Sequence, residues 1–164
     1  MTSIKIRPVT PQDAAAIAAI YNEYVLKTDI SFETEALSAE EMRGRILDIS
    51  ADFPYLVFEE EGRVLGYCYA HAWKERAAYS RTLETTIYLA PEAQGRGIGT
   101  RLMGRLIEAC REGGFHALVA CITGGNEPSI ALHRRLGFRQ VSCFPQVGRK
   151  FGRWLSVVDL QLML

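Results

Sequence analysis

The stretch Glu84-Thr85-Thr86-Ile87-Tyr88-Leu89 is followed by Gln94-Gly95-Arg96-Gly97-Ile98-Gly99 and then by an apolar stripe of Leu102, Met103, Leu106, Ile107 and Cys110. The hydrophobic period changes from two to three-and-four across the glycines, so the run reads as strand, loop and helix. Gly113-Gly114 closes the helix, and a second strand, His116 to Ile122, begins at once. A helix between two successive strands is the crossover that parallel pairing requires. Where the helix begins, several backbone N–H groups lack a helical partner and face outward with the positive end of the helix dipole. Glycines allow close backbone approach and positive φ, so the loop predicts a pyrophosphate site, a plain glycine turn being the alternative. Two phosphate ligands are disfavoured. The spacing is G-x-G-x-G instead of G-x-G-x-x-G, and Ile122-Thr123-Gly124 ends the next strand without the acid that grips the ribose of a dinucleotide. No Gly-Lys-Ser/Thr follows, and no lysine is near enough for the γ-phosphate of a nucleoside triphosphate.

Upstream, Ile4 and Ile6 share a face of a short strand, and Thr10-Pro11 with Asp13 starts a helix whose buried stripe is Ile17, Ile20, Tyr21, Tyr24 and Val25. A capping box, Ser38 to Glu41, opens a second helix that turns Met42, Ile46 and Ile49 inward. The connection between them holds Ser31-Phe32-Glu33, where Phe32 is either a pocket wall or a core plug. Tyr55 to Phe58, the turn at Glu61-Gly62 and Val64 to His71 form an antiparallel hairpin. Downstream, a short helix starts near Pro128 and stops at Gly137, and strands at Phe138 to Phe144 and Arg153 to Leu162 end the chain. The order β-α-α-β-β-β-α-β-α-β-β predicts a mixed α/β (α+β) fold, a mostly antiparallel twisted sheet flanked by helices.

The 164 residues, 48% hydrophobic and 23% charged, predict one folded domain spanning 1–164. Lys and Arg number 19, as do Asp and Glu, so no overall field attracts a polyanion and no nucleic-acid partner is expected. No apolar run reaches bilayer length and the N-terminal residues alternate, so the expectation is a cytoplasmic protein with no membrane partner. Cys68, Cys110, Cys121 and Cys143 lie far apart, and His71, His116 and His133 are not grouped. The reading is therefore buried free thiols and no metal.

With the strand Glu84 to Leu89 and the loop Gln94 to Gly99, the residues Asn126, Ser129, His133 and Leu136-Gly137-Phe138 resemble the GNAT superfamily of N-acetyltransferases. Three longer runs are similar to its phosphinothricin and methionine sulfoximine acetyltransferase group: Trp73-Lys74-Glu75-Arg76-Ala77-Ala78-Tyr79, Glu84-Thr85-Thr86-Ile87-Tyr88 and Val147-Gly148-Arg149-Lys150-Phe151-Gly152-Arg153-Trp154. The resemblance covers essentially the whole chain. It implies acetyl-CoA as cosubstrate, with no metal. Its pantetheine arm would pair with a splayed strand at Ile87, Tyr88 and Leu89. Its pyrophosphate would lie on Gln94, Gly95, Arg96, Gly97, Ile98, Gly99 and Thr100, with Asn126 and Ser129 nearby. It also implies a homodimer with the acceptor site near the interface.

An amine attacks a thioester only as the free base, so an amino-acid substrate must first lose a proton. The resemblance makes Glu84 and His133 the catalytic candidates, Glu84 as base through water and His133 as a second base or as proton donor to the thiolate. A backbone N–H near Leu89 is the candidate oxyanion donor. For a small amino-acid-like acceptor, Arg76 with Thr85 and Thr86 would bind the carboxylate, and Phe32, Trp73 and Tyr79 would enclose the side chain, with Lys74 and Glu75 in the same segment. Arg149 in place of a common aromatic, and Ser156 in place of a common aspartate, depart from the group's signature. Arg149, Lys150 and Arg153 form a basic cluster read as solvated or at a dimer edge. The expected reaction is direct transfer to the α-amino group of phosphinothricin, methionine sulfoximine, methionine sulfone or a similar molecule, because no cysteine lies in the motifs. The alternatives are acetylation of a peptide N-terminus or polyamine, or a non-catalytic acetyl-CoA sensor.

Overall fold

The computed structural model describes residues 1–164. Seven strands form one sheet: β1 (Ile4–Pro8), β2 (Tyr55–Glu60), β3 (Arg63–Ala72), β4 (Thr82–Leu89), β5 (Ala117–Thr123), β6 (Arg139–Lys150) and β7 (Arg153–Met163). Their order is β1-β2-β3-β4-β5-β7-β6, and β4–β5 is the one parallel pair. Four helices accompany it: α1 (Ala14–Lys27), α2 (Ala39–Ser50), α3 (Ile98–Glu112) and α4 (Glu127–Arg135). The crossover is the one expected, β4 through α3 to β5.

The sequence reading of each helix is met with small differences at the ends. Pro11–Asp13 is a 3-10 turn, and α1 begins at Ala14. Arg7 holds the Asp13 carboxylate through two bonds of 2.9 Å, which with burial settles that acid inside this corner. Ser38 caps α2 with the reciprocal bonds of a capping box, at 3.0 Å and 2.7 Å. Ile17, Ile20, Tyr21, Tyr24 and Val25 are all buried as the stripe requires. Met42 and Ile46 are buried, and Ile49 packs at the margin of the core. The strand β6 runs six residues past its expected end, from Phe144 to Lys150, with register shifts between Phe144 and Gly148 that accommodate Pro145 and Gln146.

The two faces of the sheet bury different sets. Phe58, Cys68, Leu83 and Leu118 share a core with Leu102, Met103 and Leu106 of α3, each almost fully enclosed. On the other face Tyr88 meets Tyr21 edge-on at 5.1 Å and Tyr24 at 4.9 Å, so α1 is keyed to β4. Leu106 is fully buried, and Leu106→Ala is expected to cost about 2–5 kcal/mol. A lowered urea midpoint at constant m-value checks it.

Two expectations about single residues need correcting. Cys68 and Cys110 are buried, but Cys121, in the wall of a cavity, and Cys143, on the edge strand β6, are exposed; all four are free thiols. Lys150 is not a solvated member of a basic cluster: it is buried, and its Nζ donates to the Ser31 carbonyl at 2.6 Å. Burial lowers its pKa. Arg153 is tied to Asp29 at 2.7 Å, and Arg149 stacks over Trp154 at 5.2 Å. Ser156 accepts the Gln146 N–H at 3.3 Å.

Candidate active site

Parallel pairing of β4 with β5 runs only from Thr82–Ala117 to Thr85–Ala120. Beyond it the strands part, and Ile87, Tyr88 and Leu89 have no ladder partner on the β5 side. The backbone there can be oriented from one bond. Ala90 N–H donates to the Leu65 carbonyl at 2.8 Å, which makes Gly66–Leu89 a non-hydrogen-bonded pair of the β3–β4 ladder. The N–H and C=O of Leu89 therefore point away from β3, toward the gap that β5 has left. By the same alternation so do those of Ile87. Tyr24 donates its hydroxyl to the Leu89 carbonyl and accepts from Gln94 Nε2 at 3.1 Å, linking the strand end to the glycine loop.

The gap opens into a cavity of about 910 Å³. Its walls come from the β4 edge, the loop Gln94 to Thr100, Asn126 and Ser129 at the start of α4, and the segment Ile30 to Glu33. Gly95 and Gly97 stand at φ 74° and 77°, a region that side chains disfavour, and a Cβ on either would meet nothing within 4 Å. Open space thus lies beside the first N–H groups of α3, the concavity an anionic diphosphate requires. Gly99 is different: a Cβ there would stand 3.2 Å from Leu132 Cδ2, so this glycine brings α3 against α4. The Asn126 side chain makes no capping bond, leaving its amide free at the wall. Thr85 also lines the cavity, with its Oγ1 buried and unpartnered. These features fit an elongated ligand with a diphosphate and amide groups.

Glu84 and His133 line the cavity together. His133 is 3% exposed and its Nδ1 lies 2.7 Å from the Ser129 carbonyl, which can only accept. The proton therefore sits on Nδ1 and leaves Nε2 with the lone pair. Burial lowers its pKa against the opposing pull of the Ser129 carbonyl, so the ring is a neutral acceptor at neutral pH. Phe138 supports it edge-on at 5.0 Å. Glu84 faces His71 across the β3–β4 pair, its Oε2 3.5 Å from His71 Nε2.

Thr85, Thr86 and Phe32 also line the cavity. Phe32 is a pocket wall, and its ring covers Gly148, where an added Cβ would fall 2.9 Å from Cδ2. Trp73, Lys74, Glu75, Arg76 and Tyr79 do not line it. They form a surface loop of their own, with Trp73 edge-on to Tyr79 at 5.4 Å and Lys74 over Trp73 at 4.5 Å. Arg96 is turned away as well, paired with Glu60 at 2.6 Å. The β3–β4 connection projects beyond the sheet, so closeness in sequence to β4 does not bring these residues to its edge.

The sequence reading passed over Tyr21, Glu33, Arg45, Tyr69, His71 and Cys121, all in the wall. Arg45 grips Glu33 through bonds of 2.9 Å and 2.6 Å and holds its carboxyl below the usual range; Tyr21 also donates to it. Tyr69 and His71 share one face of β3 by alternation, and Glu84 joins them through the β3–β4 register. The Glu33–Arg45 pair joins a loop to α2 and had no such signal.

Comparison with known proteins agrees with this geometry. The family described as the acetyltransferase (GNAT) domain matches residues 6–158. A phosphinothricin N-acetyltransferase of Alcaligenes faecalis is 41% identical over 158 residues, 95% of this chain and 80% of that one. An L-methionine sulfoximine/L-methionine sulfone acetyltransferase of Salmonella typhimurium is 40% identical over 164 residues, 97% of this chain and 94% of its own length. The crystal structure of a GNAT superfamily phosphinothricin acetyltransferase from Sinorhizobium meliloti, in complex with acetyl-CoA, superposes with a TM-score of 0.95 at 39% identity, covering 98% of this chain and 88% of that one. A parted strand pair, a glycine cradle and a match along nearly the full length lead to one assignment: the chain belongs to the GNAT acetyltransferase family.

Proposed function

We propose that residues 1–164 act as a single cytoplasmic N-acetyltransferase domain. It moves the acetyl group of acetyl-CoA directly to the α-amino group of a small amino acid or analogue, such as phosphinothricin, methionine sulfoximine or methionine sulfone. The observation that carries this reading is the unpaired edge of β4 facing the glycine cradle in one cavity with Glu84 and His133. The names of the relatives support the acceptor class.

Acetyl-CoA supplies an acyl group activated as a thioester. The α3 N-terminus and the loop Gln94 to Thr100 would bind its diphosphate, and the outward backbone of Ile87, the Leu89 N–H and the side chains of Asn126 and Ser129 its amide-bearing arm. Glu84 takes one proton from the substrate ammonium through water and releases it to solvent. His133 Nε2, an acceptor first, takes the second proton from the attacking nitrogen and returns it to the departing sulfur. The net products are an amide, a thiol and one proton. Thr85 and Thr86 orient the acceptor under the Phe32 wall. The reading includes a homodimer, supported by the apolar side chains of Val141, Phe144, Val147 and Trp154 exposed on the β6–β7 edge. The Trp73 to Tyr79 loop would belong to that assembly.

The test is thiol release from acetyl-CoA across amino acids, including phosphinothricin, methionine sulfoximine and methionine sulfone, with polyamines and short peptides alongside. Release that depends on the free amino acids supports the reading. Release with peptides or polyamines alone replaces the acceptor class, and tight acetyl-CoA binding without any release points to a sensor. Gly148→Ala probes the wall: the new methyl forces Phe32 aside, and the acceptor KM should rise about tenfold while acetyl-CoA affinity holds.

A further inference from the structure

His71 stands outside every motif that led to the site, yet it faces Glu84. Its Nδ1 lies 3.0 Å from the Ala72 carbonyl and its Nε2 3.5 Å from Glu84 Oε2. The carbonyl accepts only, so Nδ1 keeps its proton and Nε2 is the nitrogen that gains or loses one. With Nε2 unprotonated, a lone pair would face a carboxylate; with it protonated, the ring donates to Glu84. We propose that His71 is the positioning residue that holds, behind Glu84, the proton removed from the substrate ammonium. This rests on the acetyl-transfer reading above. His71 Nε2 first gives its own proton to solvent; the ammonium N–H bond then breaks, its electron pair stays on nitrogen for attack, and the proton crosses Glu84 to the vacated His71 Nε2. From there it escapes to solvent, because the His71 side chain is 34% exposed at the cavity.

The neighbours leave this role to His71. Tyr69 packs against its ring at 5.8 Å, and burial raises that phenol's pKa. Cys121 on β5 faces Glu84, with Asp159 of β7 behind it; burial and those two carboxylates raise the thiol. Glu33 and Arg45 are committed to one another. The Glu84 carboxylate raises the His71 imidazole against the opposing effect of burial. Of the groups around Glu84, then, His71 is the one that can take up and give up a proton without breaking a bond those neighbours already make.

His71→Gln separates proton holding from simple support, since its amide can still donate to Glu84 but cannot be protonated there. With methionine sulfoximine as acceptor, kcat/KM at pH 7 should fall about tenfold to a hundredfold and then climb about tenfold per pH unit toward the amine pKa, with the acetyl-CoA dissociation constant unchanged. A profile superimposable on the wild type, or a loss equal at every pH, overturns the role. Nitrogen-15 NMR of wild-type His71 gives a reading that needs no turnover: titration above the ordinary histidine range, falling in Glu84→Gln, is expected. Ordinary titration in both proteins overturns the pair. Wild-type silence with every acceptor, alongside an intact NMR titration, overturns the acetyl-transfer reading and the role that depends on it; a wild-type-like His71→Gln profile in an active enzyme overturns the role alone.

Discussion

Glu84→Gln is expected to lower kcat for amino-acid acetylation by on the order of 10²–10⁴-fold at neutral pH, the range for loss of a positioned base. The substitution keeps the shape of the side chain and removes its ability to take a proton. Acetyl-CoA should bind as before, because the cradle at Gly95 and Gly97 lies at the far end of the cavity wall from the β3–β4 pair that holds Glu84. The deficit should shrink as pH rises, since solvent then supplies the free amine that the enzyme no longer makes. Rate measurements across pH, with acetyl-CoA affinity by calorimetry, check both parts. A loss below about threefold at neutral pH would move the first proton to His133, whose Nε2 is free and whose pKa is lowered by burial.

The second large effect belongs to the cradle. Gly97→Val places a β-branched residue at φ 77°, a conformation costing about 1–2 kcal/mol for an L-residue. It also fills the open space in front of the α3 N-terminus, where each hydrogen bond from a backbone N–H to a charged oxygen is worth about 1.5–3 kcal/mol. Loss of one or two such bonds weakens acetyl-CoA binding by roughly a hundredfold, at about 1.4 kcal/mol per factor of ten. Thermal stability should fall much less, because Gly97 is exposed and touches no core side chain. Paired calorimetry and melting curves separate the two losses.

The regular parts of this molecule were legible because their signals are local. The stripe Leu102, Met103, Leu106, Ile107 and Cys110 can bury only as a helix, and the glycine loop before it can lead only into that helix's N-terminus. The Ser38–Glu41 box marked its helix start to the residue. The site was half legible. Glu84, His133 and the loop lie in contiguous motifs that resemble a known group, whereas the loop Trp73 to Tyr79 shares a motif with β4 and yet leaves the cavity. Lys150 was misread for the opposite reason: three cations in five residues look solvated, but the distant Ser31 carbonyl draws one of them inside. His71 was visible only as an ungrouped histidine, since its partner is set by antiparallel register and not by spacing.

The most direct test of acetyl transfer follows the acyl carbon itself. The wild-type protein would be incubated with acetyl-CoA labelled with carbon-13 in the acetyl group and with L-methionine sulfoximine, and the label followed by NMR. The geometry predicts label on the α-nitrogen as an amide, one equivalent per thiol released. Label that remains on acetyl-CoA, or that appears as free acetate while the amino acid stays unmodified, would contradict it.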